Sequence, residues 1–441
     1  MRILHTSDWH LGRTFHGRVL DDAHAAFADH LVELVAAESV DAVLVAGDVY
    51  DRAIPPNDAV ALLDETLRRL TEHTRVVLTP GNHDSARRLG FAADLMREGL
   101  IIRARTAGLD RGIILPDADG NEAAIIHALP YLDPDAAREI LPPLLAERLG
   151  EETPAKHTAG EDRAKGEGAA SQPDPPERPR LPRSHEAVVS AALRLVAADL
   201  DRLRSARTRR LPSLLMAHAF VVGGEACESE RDIRVGGVDS VPSGVFTTLG
   251  GSPLAERSGG LDYVALGHLH RPQELTRPTG PRLVYSGSPL PFSFDEAEGA
   301  RNSATKSSVL LDLSADGVTG LERIPTPVLH RVRTLTGTMP ELLSPAFDDA
   351  TGAWVRVILQ GERPPGALAT LKERFGSLLA FQHEAPMRTA RERIAVTAAA
   401  DPLRITENFF DDVCGRAPKP SERSVLRSAY ESALASARSE R

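Results

Sequence analysis

A chain of 441 residues with 42% hydrophobic and 26% charged side chains can bury a substantial core, which excludes disorder as its dominant state; the length suits about three domains, or one large core with an appendage. The formal charge is −10, from 52 basic and 62 acidic residues, so uniform attraction to a polyanion is excluded and any such contact must rest on local basic patches, bound cations or a partner. The two cysteines, Cys227 and Cys414, lie too far apart for a thiolate zinc module and are too few for a disulfide scaffold, which fits a reducing compartment.

In chain order, Ile3 to Thr6 reads as a short strand, and Phe27, Leu31, Leu34 and Val35 follow helical spacing. Asp41 to Ala46 is an apolar run closed by Gly47, which suits a buried strand. Val60, Leu63, Leu67 and Leu70 again step by three and four, and Thr74 to Thr79 is β-branched up to Pro80-Gly81. Strands alternating with helices predict an α/β layered core. Between Gly150 and His185 the chain has six Pro, four Gly and no aromatic residue. Such a stretch cannot offset its ordering entropy by burial, so 150–185 is expected to be a disordered surface insertion. Its mixed charge, six basic against seven acidic residues, argues against a dedicated arm for a polyanion. Val189, Leu193, Val196, Leu200 and Leu203 then predict a helix. Strands are expected at Leu214 to Met216, Asp262 to Leu266, Leu283 to Tyr285 and Val309 to Leu313.

After Pro325-Thr326-Pro327 the character shifts. Trp354 to Leu359 and Leu378 to Gln382 read as strands around a helix at Ala367 to Phe375, which predicts a small α+β domain. The expected organisation is a main domain over 1–325, a small domain over 326–400 and a helical segment over 401–441. No apolar run exceeds five residues, against the ~20 that a membrane span requires, and the start lacks a signal-peptide core. A soluble, cytoplasmic protein without membrane partners is expected.

Five short segments collect groups able to bind metal at the ends of predicted strands: Ser7-Asp8-Trp9-His10, Gly47-Asp48-Val49-Tyr50-Asp51, Gly81-Asn82-His83-Asp84, Ala217-His218-Ala219 and Gly267-His268-Leu269-His270. Ligands gather beyond the carboxyl ends of strands in open α/β sheets. Taken singly, each segment has a plainer explanation, such as a turn with capping Asn and Asp side chains or a pair of hydrogen-bonded histidines. Five in succession, each behind an apolar run, point to chemistry. Carboxylate, amide oxygen and imidazole without thiolate suit manganese, iron or zinc. The groups exceed what one ion needs, and two divalent ions ~3.5–4 Å apart would use them to clamp both oxygens of a phosphoryl displacement.

This order of motifs resembles the calcineurin-like metallophosphoesterases. The longer strings His5-Thr6-Ser7-Asp8-Trp9-His10-Leu11-Gly12, Ala46 to Asp51 with Pro55-Pro56, Ala265 to Arg271 and Ser286-Gly287-Ser288-Pro289-Leu290 are similar to the double-strand-break repair nucleases within them. The resemblance implies a four-layer α-β-β-α sandwich with a smaller α+β capping domain. It also implies two ions, manganese foremost, with Asp8, His10, Asp48 and His270 holding one and Asp48, Asn82, His218 and His268 the other. His83 would stabilise the transferring phosphoryl group or protonate the departing 3′ oxygen. Asp84 is expected to orient His83 or simply to cap a turn, and Asp51 takes no role. Arg13, Arg18, Arg52, Arg87, Arg88 and Arg271 flank these segments and are candidates to meet DNA phosphates. The implied activity is 3′→5′ exonuclease on duplex DNA and endonuclease on single strands or hairpins. A homodimer with a long coiled-coil ATPase partner goes with it, docked through the stretch around Val425 to Leu434. Two rivals remain: an enzyme for small phosphodiesters or phosphomonoesters, and a non-catalytic scaffold that clamps DNA ends.

Overall fold

The computed structural model describes residues 1–96, 99–150, 180–230, 240–275, 279–296, 305–385 and 402–439. Uninterrupted apolar runs make strands that are buried on both faces. Ala42–Ala46, buried at every position, sits inside a six-stranded sheet ordered Gly317–Pro325, Ser307–Ser314, Arg2–Thr6, Ala42–Ala46, Arg75–Thr79, Leu100–Ile102. The last four run parallel, while Ser307–Ser314 and Gly317–Pro325 are antiparallel additions. A second sheet is ordered Gln273–Leu275, Arg282–Tyr285, Tyr263–Gly267, Ser213–His218, Glu122–Ala128, Ile113–Pro116, parallel at its centre and antiparallel at either edge.

Strand periodicity sorts the side chains into layers. Ile3, Ala42, Leu44, Ala46 and Val77 of the first sheet meet Ile126, Leu214, Met216, Ala265 and Val284 of the second in a core between the sheets. Their neighbours Leu4, Val43, Val45, Val76 and Leu78 face outward onto Phe27, Leu31 and Val35 of helix Asp21–Ala37 and Leu63, Leu67 and Leu70 of helix Asn57–Thr71. On the far side Ile125, Leu215, Val264 and Leu266 pack against helices Pro134–Leu149 and His185–Ser205. The result is the expected α-β-β-α sandwich.

A three-stranded parallel sheet, Val332–Gly337, Trp354–Gln360 and Leu378–Glu384, has its own core of Leu335, Val355, Val357, Leu371 and Phe375, with Leu371 contributed by helix Ala367–Arg374. It lies within the same compact unit, Met1–Glu384, as the two large sheets. Trp354 joins them: it stacks on Phe15 at 5.5 Å and on His330 at 4.3 Å, and His330 Nε2 lies 3.0 Å from Asp22 Oδ2. Ala385–Arg441 forms a second compact unit. It holds helices Pro402–Cys414 and Pro420–Ser439, tied by an Arg423–Glu407 ion pair at 2.7 Å.

The expected insertion lies outside the described residues over 151–179, but its last residues do not behave as an exposed loop. Leu181 is buried against the second sheet's helices, its N–H donates to the Arg138 carbonyl, and His185 already opens the next helix. Among the described residues no helix is long and apolar enough to cross a membrane.

Candidate metal centre

Every candidate ligand leaves the carboxyl end of a parallel strand. Asp8 and His10 follow Arg2–Thr6, Asp48 follows Ala42–Ala46, and Asn82 follows Arg75–Thr79 in the first sheet. His218 ends Ser213–His218, and His268 and His270 follow Tyr263–Gly267 in the second. The two sheets thus deliver oxygen donors and imidazoles to one edge of the sandwich. Gly47 turns its loop at φ +87°, and a Cβ there would lie 2.2 Å from His218 Nδ1. Gly81 has no such turn; it is required because a Cβ would lie 2.2 Å from Asp48 Oδ1. Asp8, His10, Asp48 and His268 themselves adopt positive φ, an uncommon conformation that concentrates at functional sites.

Asp48 stands at the centre. Its Oδ2 lies 3.6 Å from His10 Nε2 and 3.4 Å from His218 Nε2, while its Oδ1 accepts the His83 N–H at 2.8 Å. On one side His10 Nε2 and His270 Nε2 face each other at 3.1 Å, and Asp8, His10 and His270 bring ligand atoms within 4.8 Å of one another. On the other, Asn82 Oδ1 lies 2.9 Å from His218 Nε2 and 3.2 Å from His268 Nδ1. Asp8 also groups with Asp48 and His218, and His83 with His10 and Asp48. Both Asp8 carboxylate oxygens accept the His268 N–H, at 3.0 and 3.1 Å. All seven ligand residues named from the sequence converge on this pocket.

Burial dominates the ionisation. Desolvation raises the Asp8 carboxyl and holds His10 and His268 well below the usual imidazole range. Burial acts the same way on His218, but Asp48 and Asp8 outweigh it and raise that imidazole to about 9. Burial would raise Asp48 in turn, yet His218 and His10 keep it well below the carboxylate range. Divalent cations fit this donor set. Two imidazole nitrogens, of His10 and His270, crowd together, the anionic Asp48 lies beside His10, and the buried His10 Nδ1 and Asn82 Nδ2 have no hydrogen-bond partner among the described residues.

Asp84 does not steer His83. Its carboxylate is spent on the N–H groups of Val49, Tyr50 and Gly81, at 2.9 to 3.0 Å, because these three donors turn toward it from two loops that must be held together. Burial, then Asp48, raise its carboxyl to about 7. The group that orients His83 is the Asp51 carbonyl, 2.8 Å from Nδ1. Among the flanking arginines, Arg13 is engaged with the Ser229 carbonyl at 2.8 Å and covers the Phe292 ring at 4.7 Å. Arg271 pairs with Glu225 at 2.8 Å. Arg18, Arg52, Arg87 and Arg88 are exposed. Sequence reasoning missed Ser229, Glu230, Glu296 and Lys306, which surround His270. Their one signal was the Ser286 to Leu290 string beside them.

A model of the calcineurin-like phosphoesterase family matches residues 1–121. The chain is 35% identical over 432 residues to the SbcD subunit of the nuclease SbcCD from Rhodobacter capsulatus, covering 92% of this chain and 91% of that protein. It is 30% identical over 343 residues to the SbcD subunit of the nuclease SbcCD from Escherichia coli, covering 78% and 72%. Among solved structures, TT1561 of Thermus thermophilus covers 74% of this chain and 98% of its own at 15% identity, with a TM-score of 0.35.

Proposed function

The chain belongs to the SbcD family, that of the SbcD subunit of the nuclease SbcCD, and from that premise we propose that it hydrolyses DNA phosphodiesters with two divalent cations, manganese foremost. The observation that carries this reading is the convergence of seven candidate ligand side chains from both sheets, Asp48 among them, on one pocket. Asp8, His10, Asp48 and His270 would hold one cation; Asp48, Asn82, His218 and His268 the other. When bound, such cations polarise a phosphoryl oxygen and lower the pKa of water.

The chain's own residues do the rest. With Nδ1 committed to the Asp51 carbonyl, His83 presents Nε2 to the substrate and serves the phosphoryl oxygens or the leaving 3′ oxygen. Exposed Arg52, Arg87 and Arg88 meet backbone phosphates beside it. The activity is 3′→5′ exonuclease on duplex DNA and endonuclease on single strands and hairpins. The small sheet over 332–384 caps the site. It works as a homodimer within a heterotetramer with an SbcC-type coiled-coil ATPase. In the C-terminal unit Phe409, Val413 and Val425, each 67% exposed, are the apolar groups offered to that partner.

End-labelled duplex, single-stranded and hairpin DNA should be incubated with the protein and manganese, and with p-nitrophenyl phosphate and cyclic nucleotides alongside. Manganese-dependent shortening of the duplex from its 3′ ends is expected. Turnover of the small esters with intact DNA would replace this reading by that of a small-substrate phosphoesterase; binding of ends without turnover would replace it by a scaffold.

A further inference from the structure

The Ser286 to Leu290 string has no part in the ligand set, yet it lies behind it, and what it does there rests on the two-cation reading. His270 is held at every polar atom. Its N–H donates to Glu230 Oε1 at 2.8 Å, and its carbonyl accepts from Lys306 Nζ at 2.8 Å and from the Ser288 N–H at 3.0 Å. Its Nδ1 lies 2.6 Å from Ser229 Oγ. The Ser229 hydroxyl has one proton and donates it to Glu296 Oε1, so Oγ must accept from His270 Nδ1–H. With Nδ1–H committed to Ser229, Nε2, which faces His10 Nε2, is the ring atom left to bind a cation.

Glu296 is itself fixed. Its Oε1 accepts from the Phe292 N–H at 3.3 Å, and its Oε2 pairs with Lys306. The Glu296 and Lys306 side chains are 1% and 4% exposed. A buried ion pair gains little over well-packed apolar residues, so packing gives no reason for it. The other imidazoles lack this support: His218 Nδ1 rests on the neutral Ala46 carbonyl at 3.0 Å, and His10 Nδ1 makes no hydrogen bond among the described residues, with Asp51 Oδ1 3.8 Å away. The same string reaches Asp8, since Ser286 Oγ lies 2.9 Å from Ser7 Oγ, which donates to Asp8 Oδ2 at 2.5 Å. The geometry points to a charge-backed relay, Lys306–Glu296–Ser229–His270, that positions His270, a ligand of the one cation it would share with Asp8 and His10, and no ligand belonging to the other cation alone.

The test is manganese titration followed by the electron paramagnetic resonance of the free ion, on the full chain and on Ser229→Ala, Glu296→Gln and Ser229→Thr. Asp199→Asn, which breaks a buried pair elsewhere, controls for stability loss. The parent protein should bind two ions. In Ser229→Ala and Glu296→Gln one of the two should weaken by about 10–100-fold while the other stays within about twofold. Ser229→Thr, which keeps the hydroxyl, and Asp199→Asn should bind both ions as the parent does. Two parent-like ions in Ser229→Ala, or equal weakening of both, would overturn the relay. A parent protein that binds fewer than two ions would overturn the two-cation reading instead.

Discussion

Replacing His83 by Ala removes the ring and nothing else that the structure relies on. The residue 83 N–H that donates to Asp48 Oδ1 at 2.8 Å survives the change, and the ring's only hydrogen bond found among the described residues goes to the Asp51 carbonyl. The ring stands edge-on to His10, with centroids 4.7 Å apart, close enough to serve a phosphoryl group held over the ligands. Loss of a positioned acid or base costs about 10²–10⁴-fold in rate, or roughly 2.7–5.4 kcal/mol of barrier at 1.36 kcal/mol per decade. Single-turnover cleavage of an end-labelled duplex in manganese should fall by that factor, with bound manganese and thermal unfolding unchanged. A rate within about tenfold of the parent would refute the assigned role. Because His83 shares a ligand-distance group with His10 and Asp48, a loss of bound manganese would refute it differently, by making His83 a ligand.

Gly81→Ala should displace the Asp48 carboxylate, since the new Cβ meets Oδ1 at 2.2 Å; manganese titration should show both ions weakened by roughly tenfold or more. Asp199→Asn should lower stability at neutral pH. Burial raises the Asp199 carboxyl, but His127 and Arg202 draw it down to about 2 from 3.8. A folded pKa below the unfolded one gives stability that is full above about pH 4 and is lost as pH falls toward 2. The loss is therefore about 2 kcal/mol at pH 7, and denaturant melts should show it shrinking below pH 4. Arg87→Ala with Arg88→Ala should weaken duplex binding evenly across sequences and flatten the salt dependence by about 0.9 for each phosphate no longer neutralised. Manganese at about 100 times its dissociation constant should add roughly 2.7 kcal/mol per site, read as a rise in unfolding temperature that a chelator reverses.

The elements that carry the candidate ligands were legible because they are buried on both faces. Ala42–Ala46 and Tyr263–Gly267 are uninterrupted apolar runs, and each ends in a glycine and a candidate ligand, so the strand and the group it presents announce themselves together. The sheet edges were not. Leu100–Ile102 and Ile113–Pro116 are short, and the neighbouring inner strand Glu122–Ala128 hides His127, which is satisfied by Asp199 at 3.0 Å. Helix Pro134–Leu149 was masked by Pro142 and Pro143, which read as a break although the helix runs through them. The groups around His270 were illegible for another reason. Glu296 and Lys306 look like surface charges in a polar stretch, and only three-dimensional contact with each other and with Ser288 makes their burial tolerable.

The balance of ligand types also answers how an acidic chain meets a polyanion. Of the seven residues that converge, two are carboxylates, Asp8 and Asp48, one is an amide and four are imidazoles. Against −2 from the carboxylates, two bound dications would bring +4, so the occupied pocket carries about +2 where the scissile phosphate arrives. An all-carboxylate cage would cancel that charge. Neighbouring Asp51 does not, because Arg13 at 3.6 Å compensates it. The second sheet's contribution would therefore be electrostatic as well as geometric: His218, His268 and His270 are imidazoles, which bind metal in the neutral form, and would leave the cations a surplus of charge for DNA. A net charge of −10 would repel DNA on average, so attraction would be confined to the occupied pocket and to exposed arginines such as Arg87 and Arg88, close in sequence to His83.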